Sequence, residues 1–192
     1  MTTTSLFVAA GAVVAMSTSI SGQTLRFPPP SATPFLETIH EASSRLKLLD
    51  LAAAPHAGRE IRLWDGFGLG GVRLLILRET GSSWRALSAY PVDRASSVPV
   101  AQLPDTSDWA CRWRAAVDEG LLQLPPYPRR DSTTILVNDG YGAVIEWFDG
   151  TRYGISGAGN PGTYGSPDDR QFLRVVDAVL DQVRTPRCSK RK

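Results

Sequence analysis

The 192-residue chain is expected to fold as one α+β domain with an antiparallel sheet, and three features of its sequence carry that expectation. Apolar residues recur at three- and four-residue steps in three segments, the spacing of amphipathic helices. Between those segments lie two groups of short β-prone runs. Glycine-rich or Asp-Gly turns join the runs within each group, which makes each group a meander. The predicted order is α-βββ-α-βββ-α: an antiparallel sheet of about six strands in two three-stranded meanders, with the helices packed on it.

Phe35, Leu36, Ile39, Ala42, Leu46, Leu49 and Ala53 predict a first helix over 35–54, stopped by Pro55. Strands are expected at 60–64, 72–78 and 84–90. Asp105, Thr106, Ser107 or Asp108 can cap a second helix that runs to about Leu122 and presents Trp109, Trp113, Ala116 and Gly120 on one stripe. Cys111 stands about 200° around that helix from Trp109 and should face outward.

Ser132 to Ile155 contains Asp139-Gly140 and Asp149-Gly150, each the signature of a two-residue type I′ hairpin. That register pairs Leu136 with Ala143, Phe148 with Thr151, Trp147 with Arg152 and Glu146 with Tyr153. One face then carries Thr133, Ile135, Val137, Val144, Glu146, Phe148, Tyr153 and Ile155. The other carries Thr134, Leu136, Ala143, Ile145, Trp147 and Arg152, with Arg152 over Trp147 as a cation–π pair. Residues 154–166 hold five glycines and read as a long loop. Ser166 as N-cap, Pro167, Asp168 and Asp169 then open a last helix with Phe172, Leu173, Val176, Val179, Leu180 and Val183 on one side.

The front of the chain bears on compartment. Leu6 to Met16 is an apolar run of eleven residues followed by small polar ones, too short to span a bilayer as a helix but the length of a secretory h-region. The expected organisation is a signal peptide at 1–21, a Pro-rich linker at 22–34, one domain at 35–186 and a basic tail at 187–192. The mature protein would be periplasmic or secreted, with no transmembrane segment after signal cleavage. Cys111 and Cys188 are the only cysteines, and in an oxidising compartment they should pair with each other.

Composition narrows the function. Collagen, coiled-coil and knottin-like scaffolds do not fit it, and two cysteines cannot make a four-ligand zinc cluster. The formal charge is +2, but Arg184, Arg187, Lys190, Arg191 and Lys192 supply five cations at the end. The remaining body is mildly acidic, so no nucleic-acid partner is expected. Gly66 to Gly71 and Gly157 to Gly162 match G-x-G-x-x-G, yet a strand follows the first and Pro161 interrupts the second, so neither predicts a nucleotide site. No cofactor or metal site is expected: His40 and His56 lack a second ligand at plausible spacing. Ser156, His56 and Asp139 form a serine triad only by residue type.

Asp139, Glu146 and Asp149 lie among Tyr141, Trp147 and Tyr153, and sugar-processing sites combine carboxylates with aromatic platforms. Both aspartates are explained by the turns they begin, whereas Glu146 falls on an otherwise apolar face and must be paired, neutralised or near an opening. Glu146 is therefore the candidate catalytic residue. The candidate binding residues are Trp147, Arg152, Tyr153, Asn160 and Tyr164, on the hairpin and the glycine-rich segment, for a small ligand or a protein partner.

The segments EIRLWDGFGLGG, GLLQLPP and NDGYGAVIEWFDGTRYG, followed by a Pro-initiated last helix, resemble small exported bacterial proteins of an uncharacterised family, a domain of unknown function, over about residues 59–183. That resemblance implies export and no particular catalytic residue. The sequence thus reads as an exported, disulfide-linked domain that binds rather than catalyses. The alternative is a hydrolase of an extracytoplasmic polymer with Glu146 as general acid or base.

Overall fold

Six strands form one antiparallel sheet: β1 (Glu60–Phe67), β2 (Arg73–Thr80), β3 (Ser83–Ala89), β4 (Ala101–Gln102), β5 (Gly142–Phe148) and β6 (Tyr153–Gly159), in the order β4-β3-β2-β1-β5-β6. The computed structural model describes residues 34–53, 58–67, 72–90, 100–104, 108–127, 142–159, 166–180 and 188. β1, β2 and β3 are the expected meander. Thr80 faces Ser83 across a two-residue turn in which Gly81 takes a φ of 61°, the left-handed backbone such a turn requires. The β5–β6 hairpin pairs with β1 through β5, so the two groups of strands fuse into one sheet. The fold is α+β.

Helices cover both faces. α1 (Pro34–Arg45) places Leu36, Ile39 and Ala42 on Trp64, Phe67, Leu74, Ile76 and Val144. α2 (Trp109–Asp118) and α3 (Pro167–Leu180) cover the opposite face, where Trp109, Trp113, Phe172, Val176 and Val179 meet Ile61, Leu63, Leu77 and Ile145. β5, enclosed from above and below, is buried along its whole length, and β1 along nearly all of its length. Both therefore lose the polar–apolar alternation of a half-exposed strand, and their charged residues end up inside.

The helix starts follow the sequence. The Asp108 carboxylate accepts the Cys111 N–H at 2.9 Å and caps α2. At α3, Ser166 Oγ accepts the Asp169 N–H at 3.2 Å while the Asp169 carboxylate accepts the Ser166 N–H at 3.0 Å, a reciprocal capping box. Arg112 ties the two helices together: its Nη1 donates to the carbonyls of Val179 and Leu180 at 3.0 Å each, at the end of α3. Cys111 and Cys188 form the expected disulfide, and the Asp108 N–H donates to the Cys188 carbonyl at 2.8 Å.

Four expectations are corrected. The first helix ends nine residues before position 54. Lys47 turns left-handed at a φ of 52°, while the Leu48 N–H donates to the Ser43 carbonyl and the Lys47 N–H to that of Ser44, a Schellman stop. Leu49, assigned to the helix's apolar stripe, is consequently 63% exposed, and Leu51 is buried instead.

The second correction concerns the Asp149-Gly150 turn. A type I′ turn needs positive φ at both central residues, but only Gly150 has it, at 104°. The Asp149 carboxylate accepts the backbone N–H groups of Thr151 and Arg152 at 2.9 and 2.8 Å and opens the turn to four residues. Phe148 therefore faces Tyr153, Trp147 faces Gly154 and Glu146 faces Ile155. The shift is two residues, so every side chain stays on its expected face.

Third, the glycine-rich segment 154–166 is half strand, since β6 runs through Gly159. A Cβ at Gly154 would stand 2.3 Å from the Trp147 ring, so the missing side chain is what lets the indole lie across the neighbouring strand. Fourth, Ala143 faces Asp65 on one side and Ala158 on the other, rather than Leu136. The turn at Asp139-Gly140 and the partner run 132–138 lie outside the described residues, as do the signal peptide and most of the basic tail.

Two outcomes follow. Replacing both Cys111 and Cys188 by Ser opens a 77-residue loop and should lower unfolding free energy by about 4.5 kcal/mol at most, measured by urea denaturation without reductant. Gly154→Ala should displace the Trp147 indole and cost about 1–3 kcal/mol, seen as a lower Tm with a changed tryptophan emission.

Candidate functional site

On the α1 side of the sheet, the start of β1 carries Glu60, Arg62 and Trp64 in phase, since alternate residues of a strand share a face. Register places Arg62 directly opposite Glu146 of β5, and Glu60 between Arg78 of β2 and Phe148 of β5. Tyr153 of β6 lies beyond Phe148. Four strands thus converge one polar side chain each, or two in the case of β1, on a single buried patch.

The Arg62 guanidinium is the centre of this patch. The residue is 1% exposed, and its Nε donates to Glu60 Oε1 at 2.7 Å while its Nη2 donates to the Leu49 carbonyl at 2.7 Å. Glu60 is shared. Arg78 donates to it through Nε at 2.5 Å and through Nη2 at 3.2 Å, so one carboxylate serves two guanidinium groups. A charge-assisted set of this kind offsets the several kcal/mol that a lone buried ion would cost.

Glu146 is 2% exposed, and both of its oxygens are engaged. Trp64 Nε1 donates to Oε2 at 2.7 Å and the Tyr153 hydroxyl donates to Oε1 at 3.3 Å. Burial pushes its carboxyl above the usual carboxylate range; the Arg62 charge and the two hydrogen bonds pull it back by less. The Tyr153 phenol is driven upward by burial and by the adjacent Glu146 carboxylate, so it is a fixed donor and never a base.

The remaining candidate residues are arranged differently. Trp147 belongs to the opposite face and is buried in the α2–α3 core. Arg152 sits above its ring, 5.9 Å from the centroid, which is the expected cation–π contact even though the two residues are not cross-strand partners. The Arg152 side chain is 62% exposed and donates through Nε to Asp149 at 2.9 Å. Burial works against the ionised Asp149 carboxylate, but the Arg152 and Thr151 N–H groups outweigh it and hold the carboxyl below its usual range. Asn160 and Tyr164 lie outside the described residues. Ser156 Oγ is buried on the α2–α3 side with no hydrogen-bond partner among the described residues. No group of three His, Cys, Asp or Glu side chains among those residues is placed to hold a metal ion.

Sequence reasoning reached Glu146 and missed Glu60, Arg62 and Arg78. The signal was the in-phase spacing of Glu60, Arg62 and Trp64 in EIRLW: two charges on the same face as a tryptophan indicate a buried pair once the strand is known to be central.

Glu146→Gln should separate from the wild type in a pH-dependent way. At about pH 4 the carboxyl is largely protonated in both folded and unfolded chains, and the two proteins should match closely in stability. As pH rises through the ordinary carboxylate range the unfolded carboxyl ionises first, the native state holds the extra proton, and wild-type stability falls relative to the variant. Urea midpoints at about pH 4 and about pH 8 measure this, and an equal difference at both would contradict the raised value. No protein-family model, no curated protein and no solved structure matches the chain.

Proposed function

We propose that the chain is an exported, disulfide-stapled domain, of the kind its motifs resemble, that acts by binding a small ligand or a protein partner. The observation that carries this reading is the commitment of Glu146: the candidate catalytic carboxylate is buried, with both oxygens engaged by Trp64 and Tyr153. A general acid must reach a substrate oxygen at hydrogen-bond distance. The Cys111–Cys188 bridge supports an oxidising compartment, and no described helix is long and apolar enough to cross a membrane.

The contact surface in this reading is the end of the β5–β6 hairpin. Trp147 and Tyr153 act there by packing: the indole props the Arg152 guanidinium, and the phenol anchors the strand to Glu146. Arg152 is left as the exposed contact, with Asn160 and Tyr164 further along the chain. The hydrolase reading keeps one point in its favour, the upward displacement of the Glu146 carboxyl that general acids share.

Intact mass of the protein recovered from its native host under non-reducing conditions tests export and crosslink together. The expected product has lost the first 17–21 residues and is about 2 Da lighter than its reduced form, the mass of two thiol hydrogens. Retention of Met1 with two alkylatable thiols sinks the export reading. Catalysis is tested by release of reducing ends from cell-envelope polysaccharide: no Glu146-dependent turnover is expected. Turnover abolished in a folded Glu146→Gln variant would replace binding by hydrolysis.

A further inference from the structure

The end of the sheet that carries the Arg62 network also carries a pair of like charges that the network does not neutralise. Arg78 of β2 and Arg85 of β3 are directly opposite each other, on the α1 side of the sheet. Like charges at directly opposed positions repel and are ordinarily avoided. Glu60 does not relieve both: its Oε1 accepts from Arg62 and Arg78 and its Oε2 from Arg78, so neither oxygen is left uncommitted. Arg85 is exposed and has no ion-pair or hydrogen-bond partner among the described residues. The Arg78 side chain is 37% exposed, and its Nη1 is not used by Glu60.

The next cross-strand pair on the same face is Thr80 and Ser83, both exposed, immediately before the Gly81-Ser82 turn. Two guanidinium groups and two hydroxyls therefore stand in adjacent rows on one open surface. Arg78 and Arg85 thus share one neighbouring carboxylate, Glu60, which Arg62 also engages.

We propose that this face of the β2–β3 hairpin is a binding site for a dianionic tetrahedral oxyanion, a phosphate or sulfate group, held by Arg78 and Arg85 with Thr80 and Ser83 as flanking donors. Two facing guanidinium groups with a single carboxylate already shared with Arg62 leave positive charge for an anion to answer. The three or four oxygens of a tetrahedral oxyanion accept more of the available N–H and O–H groups than the two of a carboxylate can. The site is independent of the β5–β6 surface: four strand spacings of about 4.8 Å separate Arg85 from Tyr153, roughly 19 Å.

Amide chemical shifts of the full chain, titrated with inorganic phosphate, sodium sulfate or sodium acetate at constant ionic strength, test the proposal. Saturable shifts confined to residues 78–85 are expected with phosphate and sulfate at millimolar concentration, with acetate at least about tenfold weaker. The tighter of the two tetrahedral ions identifies whether the natural group is a phosphate or a sulfate. Arg85→Gln should weaken binding by about tenfold and leave the fold unchanged, since the side chain is exposed; Arg114→Gln, an equally exposed arginine on α2, should have no effect. Acetate binding as tightly as phosphate, equal losses in both variants, or unchanged binding in Arg85→Gln would each overturn the assignment.

Discussion

A guanidinium buried in the middle of a sheet constrains everything around it. Arg62 can occupy its position on β1 only if its N–H groups and its charge are answered nearby, and each answer comes from a different part of the chain. Glu60 answers from two residues earlier on the same strand, and in doing so draws in Arg78 of β2. The Leu49 carbonyl answers from above, which requires the chain to leave helical geometry at Lys47. Glu146 answers across β5, where Trp64 and Tyr153 hold it in place. The stop of α1, the join between the two strand groups and the position of β6 are thereby linked through one side chain.

The two faces of the sheet divide the work. The α2–α3 side is built almost wholly from apolar contact: three tryptophans, the aliphatic side chains of β1, β2 and β5, and the disulfide that pins the chain after α3 against the outside of α2. The α1 side combines an apolar half, with Phe35 stacked on Phe67 at 4.6 Å, and a polar half where the Arg62 network lies. This division explains why the aromatic hairpin is not an open platform. Trp147 points to the apolar face and is consumed in the core, while Tyr153 points to the polar face and is consumed in the network.

What remains outward at that end of the sheet is cationic. Arg152 rests on the Trp147 ring, Arg59 stacks near Trp84 and Trp113 while paired with Glu79, and Arg78 and Arg85 sit on the opposite face. For Arg152, Arg59 and Arg78 an aromatic or carboxylate group positions a guanidinium whose other edge faces water, while Arg85 is held only by its place on the strand opposite Arg78. The polar interior thus serves architecture first, and recognition is left to the charged groups it props at the surface.

Local physics was enough to read much of this from sequence. The strands of the first meander, the caps at Asp108 and Ser166, the outward Cys111 and the assignment of Val144, Glu146 and Phe148 to one face all follow from periodicity and from hydrogen bonds within a few residues. Face assignment survived a misplaced register because side chains alternate with period two and the error was two. The end of α1, the four-residue loop after Phe148 and the union of the strand groups were decided by contacts made across the fold or by a single carboxylate's choice of partners. Glu146 could be seen as a charge on an apolar face, but its partners could not, since Trp64 is 82 residues away and Arg62 becomes its neighbour only when β1 pairs with β5. Sequence spacing determines which side chains share a face; the energy of burying a charge determines which strands must then lie side by side.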